Sequence, residues 1–366
     1  MVTTKAAVMR EKAGDFTIVD ITVSEELRAD EVLVRIAATG VCHTDLLVRD
    51  QILPPPLPAV LGHEGSGTVT AVGTGVTTCA VGDRVVLAPL SCGNCRNCRA
   101  LHPMHCTLWG PLNLRGRRPD GSTAYRDDTD TELNGHFFGQ SSFAGHLVAH
   151  QRSVVTVPDE APLELVGPLG CGLQAGAGAV LNVLRPEPGS AIAVFGAGAV
   201  GLAGVMAARI LDCDPIIVVD LHRNRLDLAV ELGATHAFDA GSSTLVGDIV
   251  RTTTGGADYA LDAVGLPRTA RNALDVLNMG GAAAIAGSSG TGQDVAFDLT
   301  QLMGRSVHGV IEGDSDPATF IPQLIDHHLA GRFPFEKLVR TYPFEEIAAA
   351  VRDSETGVTV KPVLVY

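Results

Sequence analysis

From Pro158 to about residue 311 the chain alternates two kinds of text. AIAVFGAG, IIVVD, THAFDA, DYALDAVG and GAAAIAG read as short apolar strands, and stretches such as 175–184 and 199–211 carry helical patterns between them. Strands that recur between helices build a parallel sheet, because each parallel crossover needs a connection long enough to be a helix, and the helices then cover both faces. The first 90 residues differ. KAAVM, FTIVDITV, EVLVRIAATG, EGSGTVTAVG and DRVVLAP are short, often alternating, and punctuated by Gly, Pro, Asp or Glu, which predicts an antiparallel, barrel-like domain. Residues 108–135 are polar and turn-rich, and are expected to form a surface loop without a direct catalytic role. Beyond Ile311 a helix is expected over Ala318–Leu329 and a last strand at VKPVLVY, so that the end of the chain returns to the first domain.

A chain of 366 residues exceeds one ordinary core, so two domains are expected. Hydrophobic residues make up 46% and charged residues 19%, which suits a well-buried enzyme and argues against disorder. The net charge of −14 disfavours nucleic acid and anionic membranes as partners, since both demand a basic face. Lys5, Arg10, Glu11 and Lys12 interrupt the amino terminus, so no signal-peptide core is read there and a cytoplasmic protein is expected. Ala191–Ala208 is uncharged over 18 residues, yet its glycines and strand-like start predict a buried strand, turn and helix rather than a membrane span.

Four of the eight cysteines, Cys92, Cys95, Cys98 and Cys106, crowd into one polar stretch, SCGNCRNCRALHPMHC. Four thiolates at such spacing can close a tetrahedron around one zinc ion and leave no position for substrate, so the site is expected to be structural. Four unpaired thiols are the plainer alternative, but free cysteines seldom cluster on a polar loop. A second zinc needs about three ligands and an open position. Cys42, His63 and Cys171 are the remaining candidates, with Asp45 and Glu64 close behind in sequence. Taken alone, a cysteine such as Cys171 is more often a small buried hydrophobe than a ligand.

Strand AIAVF runs into Gly196, Ala197, Gly198, Ala199, Val200 and Gly201, a GxGxxG turn opening a helix, and IIVVD ends at Asp220 nineteen residues beyond Gly201. Together these form a dinucleotide fingerprint: the glycines let pyrophosphate approach a helix N-terminus, and an acidic residue accepts the ribose hydroxyls. A carboxylate at Asp220 repels a 2′-phosphate and so favours NAD over NADP, a preference that neighbouring His222 and Arg223 soften.

GVCHTDL, PAVLGHEGSGTV with His63 standing 21 positions after Cys42, the four-cysteine lobe, GCG at Cys171 and the later GAGAVG strongly resemble the zinc-dependent medium-chain alcohol dehydrogenases. The resemblance covers essentially the whole chain. It implies an α/β protein in which a GroES-like, β-rich catalytic domain (1–172, with a C-terminal return over 312–366) accompanies a Rossmann-type, doubly wound parallel sheet (173–311). By resemblance, Cys42, His63 and Cys171 match catalytic zinc ligands, with Glu64 a carboxylate that approaches the metal during ligand exchange. Cys92, Cys95, Cys98 and Cys106 match the structural zinc ligands. Asp45 is placed to accept the second ring N–H of His63, and Thr44 matches the hydroxyl that takes the alcohol proton. Many relatives pass that proton on to a histidine where this chain has Leu47. His43, Arg225, Val264 and Lys361 fall at coenzyme positions, His43 and Lys361 at the pyrophosphate.

Leu47, Leu53, Phe138 and Ile311 fall near substrate-pocket positions of the family, with Ala88 replacing a frequent aromatic residue. GVIEGDSDPATFIPQLI and GRFPFEKLV look like the bacterial aryl-alcohol (benzyl alcohol) dehydrogenases and allylic relatives such as geraniol dehydrogenases. Glu312 stands where other branches carry an apolar residue. The expectation is an NAD-dependent zinc enzyme that interconverts an aromatic or allylic primary alcohol and its aldehyde, as a homo-oligomer (dimer or tetramer). Two alternatives stay open: a mycothiol- or glutathione-dependent formaldehyde dehydrogenase, and a non-catalytic NAD- and zinc-binding sensor.

Overall fold

The computed structural model describes every residue, Met1–Tyr366. The chain divides into two compact units. The first comprises Met1–Cys171, Asp316–Ile325 and Leu338–Tyr366, and the second Gly172–Ser315 and Asp326–Lys337. The stretch 312–366, expected to return whole to the first domain, is therefore shared: 312–315 and 326–337 pack with the second unit.

Two sheets build the first unit. Strands Ala59–Val60, Val2–Met9, Thr17–Val23 and Tyr125–Asp127 form one, all antiparallel. The other runs, in spatial order, Val339–Pro343, Lys361–Val365, Glu31–Gly40, Gly65–Val72, Arg84–Leu87 and Val154–Thr156, with His146–His150 also paired to Glu31–Gly40. Most of these segments alternate or are β-branched, as half-buried strands require. The final strand pairs antiparallel with Glu31–Gly40, Val363 opposite Gly40. This register brings the end of the chain beside the residues that precede Cys42.

The second unit holds a six-stranded sheet, all parallel. Its spatial order is His236–Asp239, Ile216–Asp220, Ile192–Phe195, Ala257–Asp262, Leu277–Ile285 and Ser306–Gly309. Counted along the chain this is 3-2-1-4-5-6, the doubly wound order whose switch point lies between the first and fourth strands. Ile192–Phe195 and Ile216–Asp220 are buried at every position, which explains their unbroken apolar text. The uncharged run from Ala191 resolves into strand Ile192–Phe195, a glycine turn and helix Ala199–Ile210, and no helix in the protein is long and apolar enough to cross a membrane.

The stretch 108–135 departs from the surface loop expected of it. Tyr125 and Leu133 are fully buried, and Arg118 makes a paired contact with Glu31, Nε to Oε1 at 2.6 Å and Nη2 to Oε2 at 2.8 Å. Asn113 is buried too, bonding the main chain of Leu90 through both ends of its amide. Polar composition misleads here because buried Arg118 and Asn113 find partners, and a satisfied group is tolerated inside.

Candidate metal centres and dinucleotide site

Glu31–Gly40 ends in a short turn into helix His43–Arg49, and that helix start organises the first site. Asp45, fully buried, reaches back to its own N-cap: Oδ2 accepts from Cys42 N at 3.0 Å, while Oδ1 accepts from Gly62 N at 3.1 Å. The same Oδ1 lies 2.9 Å from His63 Nδ1. A carboxylate only accepts, so Nδ1 carries the ring hydrogen and Nε2 presents its lone pair.

That lone pair identifies the site. His63 is fully buried and Nε2 has no hydrogen-bond partner. Donor atoms of Cys42, His63, Glu64 and Cys171 lie within 4.8 Å of one another. An orphaned imidazole nitrogen among two thiols and a carboxylate suits a zinc ion, which takes N, S and O donors and relieves the cost of an unmade bond. Electrostatics agree with the donor set. Hydrogen bonding to Cys171, with the charges of Lys361 and His63, outweighs burial and holds the Cys42 thiol well below its usual range. Burial alone would push His63 down, but Asp45 and the Cys42 thiolate raise it well above an ordinary imidazole. A dication answers the same negative field without a proton.

Glu64 is fully buried, and its two carboxylate oxygens each accept from Lys361 Nζ at 2.9 Å. Lys361 also donates to Val41 O at 3.3 Å. Its burial works against the charge, yet Glu64 and Cys42 outweigh it and keep the ammonium above its ordinary range. Gly40 makes the room: a Cβ there would meet Glu64 Oε2 at 2.0 Å. The side chain of Lys361, expected at a pyrophosphate, is thus engaged with the carboxylate expected beside the metal. Thr44 Oγ1 stands 3.8 Å from Cys42 Sγ, and His43 is exposed at the helix start. Leu47 and Phe138 are buried, and Phe138 lies over the His63 imidazole with ring centres 4.4 Å apart. Trp109 meets the edge of Phe138 in turn, at 5.4 Å.

The second group gathers Cys92, Cys95, Cys98 and Cys106, with all four sulfurs within 4.8 Å and none in a disulfide. Sγ of Cys98 lies 3.9 Å from that of Cys92 and 3.5 Å from that of Cys95. A tetrahedral zinc with bonds of about 2.3 Å needs sulfurs roughly 3.8 Å apart, so the group fits. Main-chain N–H groups of Cys95, Cys98 and Cys92 point at the sulfurs of Cys92, Cys95 and Cys106. Hydrogen bonds from the main chain of Cys98 and Thr107 lower Cys95 to about 5, while burial pushes Cys98 up to about 12. Arg152, unnoticed in the sequence, packs on this loop through hydrogen bonds to Ser91.

In the second unit the turn from Phe195 to helix Ala199–Ile210 takes the form its glycines permit. Gly196 has φ +95°, and a Cβ would strike Val264 Cγ2 at 2.6 Å. Gly198 is the N-cap, with open space where a Cβ would stand, and Ala199, Val200 and Gly201 form the first turn, where unsatisfied N–H groups and the dipole favour an anion. Asp220, at the end of the neighbouring strand, accepts from Ala197 N at 2.6 Å and His222 N at 2.8 Å. It therefore fixes the turn as well as offering lone pairs to a diol. Arg225 Nε is buried without a partner, and Val264, with its N–H on Asp262 Oδ1, lines the switch point. Glu312 is buried and accepts from Gln174 Nε2 at 3.3 Å.

Two contacts around the first donor group have no counterpart in the sequence patterns: the Lys361–Glu64 pair, and Gln140, whose side chain bonds the main chain on both sides of Glu64. The only sign of the latter was a lone amide in the run FFGQSSF.

Comparison with known proteins places these arrangements. Residues 28–159 match the family described as alcohol dehydrogenase GroES-like domain, and 199–327 match zinc-binding dehydrogenase. A geraniol dehydrogenase from Castellaniella defragrans is 45% identical, the alignment covering 100% of this chain and 98% of that one. The crystal structure of benzyl alcohol dehydrogenase from Acinetobacter calcoaceticus superposes with a TM-score of 0.96 at 41% identity, covering 100% and 99%. A crystal structure of an alcohol dehydrogenase zinc-binding domain protein from Burkholderia ambifaria gives 0.97 at 49%, with the same coverage.

Proposed function

Because the chain belongs to the zinc-dependent medium-chain alcohol dehydrogenase family, we propose that it moves a hydride between an aromatic or allylic primary alcohol and NAD, interconverting alcohol and aldehyde. The observation that carries this reading is the orphaned Nε2 of His63 facing the thiols of Cys42 and Cys171. In this reading those three residues hold the catalytic zinc, and Cys92, Cys95, Cys98 and Cys106 hold one structural zinc. The catalytic ion supplies Lewis acidity that acidifies an alcohol hydroxyl, and two thiolates with a neutral imidazole leave its net charge near zero.

The chain's own groups do the rest. Asp45 fixes the tautomer and tilt of His63, so the ring nitrogen aimed at the metal is the basic one. Thr44, two residues after Cys42, would take the proton of an alcohol hydroxyl held at this site, because a hydroxyl both accepts and donates. Leu47 carries no group that could relay that proton further, so its onward path would not run through this side chain. On the coenzyme side, Asp220 would accept the adenosine-ribose hydroxyls and favour NAD, with Arg225 near the same ribose, while the first turn after Gly198 would meet the pyrophosphate.

The names of the geraniol and benzyl alcohol dehydrogenases support an allylic or aromatic alcohol. The aromatic series His63, Phe138, Trp109 supplies flat apolar surface near the metal donors. The test is a panel of benzyl alcohol, geraniol, ethanol and hydroxymethyl-thiol adducts, run with NAD⁺ and NADP⁺ in parallel. Higher kcat/KM for benzyl alcohol or geraniol with NAD⁺ is expected. Preference for the adduct would replace this reading by a thiol-dependent formaldehyde dehydrogenase, and coenzyme binding without turnover would make the protein a sensor. A cytoplasmic homo-oligomer, dimer or tetramer, completes the proposal and is checked by solution mass.

A further inference from the structure

Residues 140–143 run alongside residues 60–65. Phe143 N donates to Leu61 O and Ser142 N to Gly62 O, each at 2.9 Å, and Ser141 Oγ donates to Val60 O at 2.7 Å. At the next step the main chain of this segment stops and a side chain takes over. Gln140 Nε2 donates to His63 O at 2.9 Å, and Gln140 Oε1 accepts from Gly65 N at 3.1 Å. Both bonds lie in the interior, and Gln140 has no exposed surface. The amide thus spans Glu64, binding the carbonyl before it and the N–H after it as a neighbouring strand would. Gln140 is itself held: its N–H bonds Phe137 O at 3.0 Å, and its carbonyl accepts from Tyr125 Oη at 2.9 Å, a hydroxyl that Val148 N also bonds at 3.3 Å.

We infer that Gln140 is a positioning residue for the His63–Glu64 pair: it fixes the peptides from which the imidazole aims at the metal and the Glu64 carboxylate reaches Lys361. The inference rests on the reading that His63 is a zinc ligand. Ring orientation at a ligand follows from two anchors, Asp45 on the ring and Gln140 on the backbone. Removing the second leaves a buried carbonyl and a buried N–H unpaired at the ligand itself, and groups behind a ligand typically govern metal affinity 10- to 100-fold.

The experiment uses full-length zinc-loaded protein. Gln140→Met keeps the length without polar atoms; Gln140→Glu keeps the volume and the acceptor for Gly65 but loses the donor for His63 O, and is read in the same way if the Met variant does not fold. Zinc release to a chromogenic chelator, the thiolate-to-metal band of the cobalt-substituted protein, and thermal unfolding are measured together. One of the two ions per chain should leave about 10- to 100-fold faster, with a shifted cobalt band, while the other leaves at the wild-type rate. Wild-type release of both ions and an unchanged cobalt band, whatever the change in unfolding temperature, would overturn the inference and leave Gln140 a packing residue. Cys42→Ala serves as control: if it still holds two ions, the metal reading has failed rather than the role of Gln140.

Discussion

Lys361 Nζ sits 2.9 Å from both carboxylate oxygens of Glu64, across 297 residues of sequence, with side-chain exposures of 3% and 0%. Removing one partner strands the other charge in the interior. Lys361→Met is expected to cost about 3–5 kcal/mol, seen as a lower urea midpoint, and the double variant Glu64→Gln with Lys361→Met should recover most of it. Because the Lys361 ammonium is held above its ordinary range, its contribution is complete below about pH 10.4 and drains away as pH rises through the shifted value. Equal midpoints for the single and double variants would show that the pair is not the source of the loss.

His136 makes the opposite prediction at acid pH. Burial, with the nearby Arg118 charge, holds its ring down to about 3, and Nε2 accepts from Ala124 N at 3.2 Å. The unfolded chain therefore binds a proton before the folded one does. Stability from this group is present above about pH 6.5 and falls as pH drops toward 3, by roughly 2–3 kcal/mol at pH 4.5. In urea titrations at pH 7 and 4.5, His136→Gln should lose less between the two pH values than the wild type; an equal loss would contradict this account.

The two metal groups should part cleanly under mutation. Cys98→Ser is expected to take bound zinc from two ions per chain to one and to open residues 92–106 to proteolysis, with coenzyme binding kept. Cys42→Ala should also leave one ion, but with that loop protected and with turnover lowered on the order of 10³-fold or more, the loss of several kcal/mol of Lewis acidity. Zinc counting alongside limited proteolysis distinguishes them.

Asp220→Ser tests coenzyme choice. The carboxylate bonds Ala197 N and His222 N and stands at the proposed ribose site, so NAD⁺ should lose about 10- to 100-fold in kcat/KM while the NADP⁺ value rises. Steady-state rates with both coenzymes decide it: an unchanged ratio would show that Asp220 serves the turn alone.

What the text of the chain revealed follows from how local each signal is. The strands, the glycine turn ending at Asp220 and the four cysteines within fifteen residues are patterns of neighbours, set by period, spacing and backbone freedom. Glu64 with Lys361, and Gln140 with His63, are contacts between segments that only the sheet register brings together. The same limit explains 108–135: whether a polar residue is buried depends on a partner elsewhere, as Arg118 depends on Glu31. The pairing of Glu312 with Gln174 is likewise invisible in a run where glutamate only looks out of place.

The strand Lys361–Val365 carries a consequence for the order of events during synthesis. Gly172–Ser315 is a continuous stretch, available to begin folding as soon as it leaves the ribosome. The first unit has no such freedom. Until residues 361–365 emerge, Glu31–Gly40 lacks its antiparallel neighbour at Val363–Val365, and Glu64 waits without its cation. A ribosome stalled before Lys361 would hold a chain able to gather the four cysteines but not to complete the donor group around Cys42, so deletion from Lys361 onward should affect the two proposed zinc groups unequally.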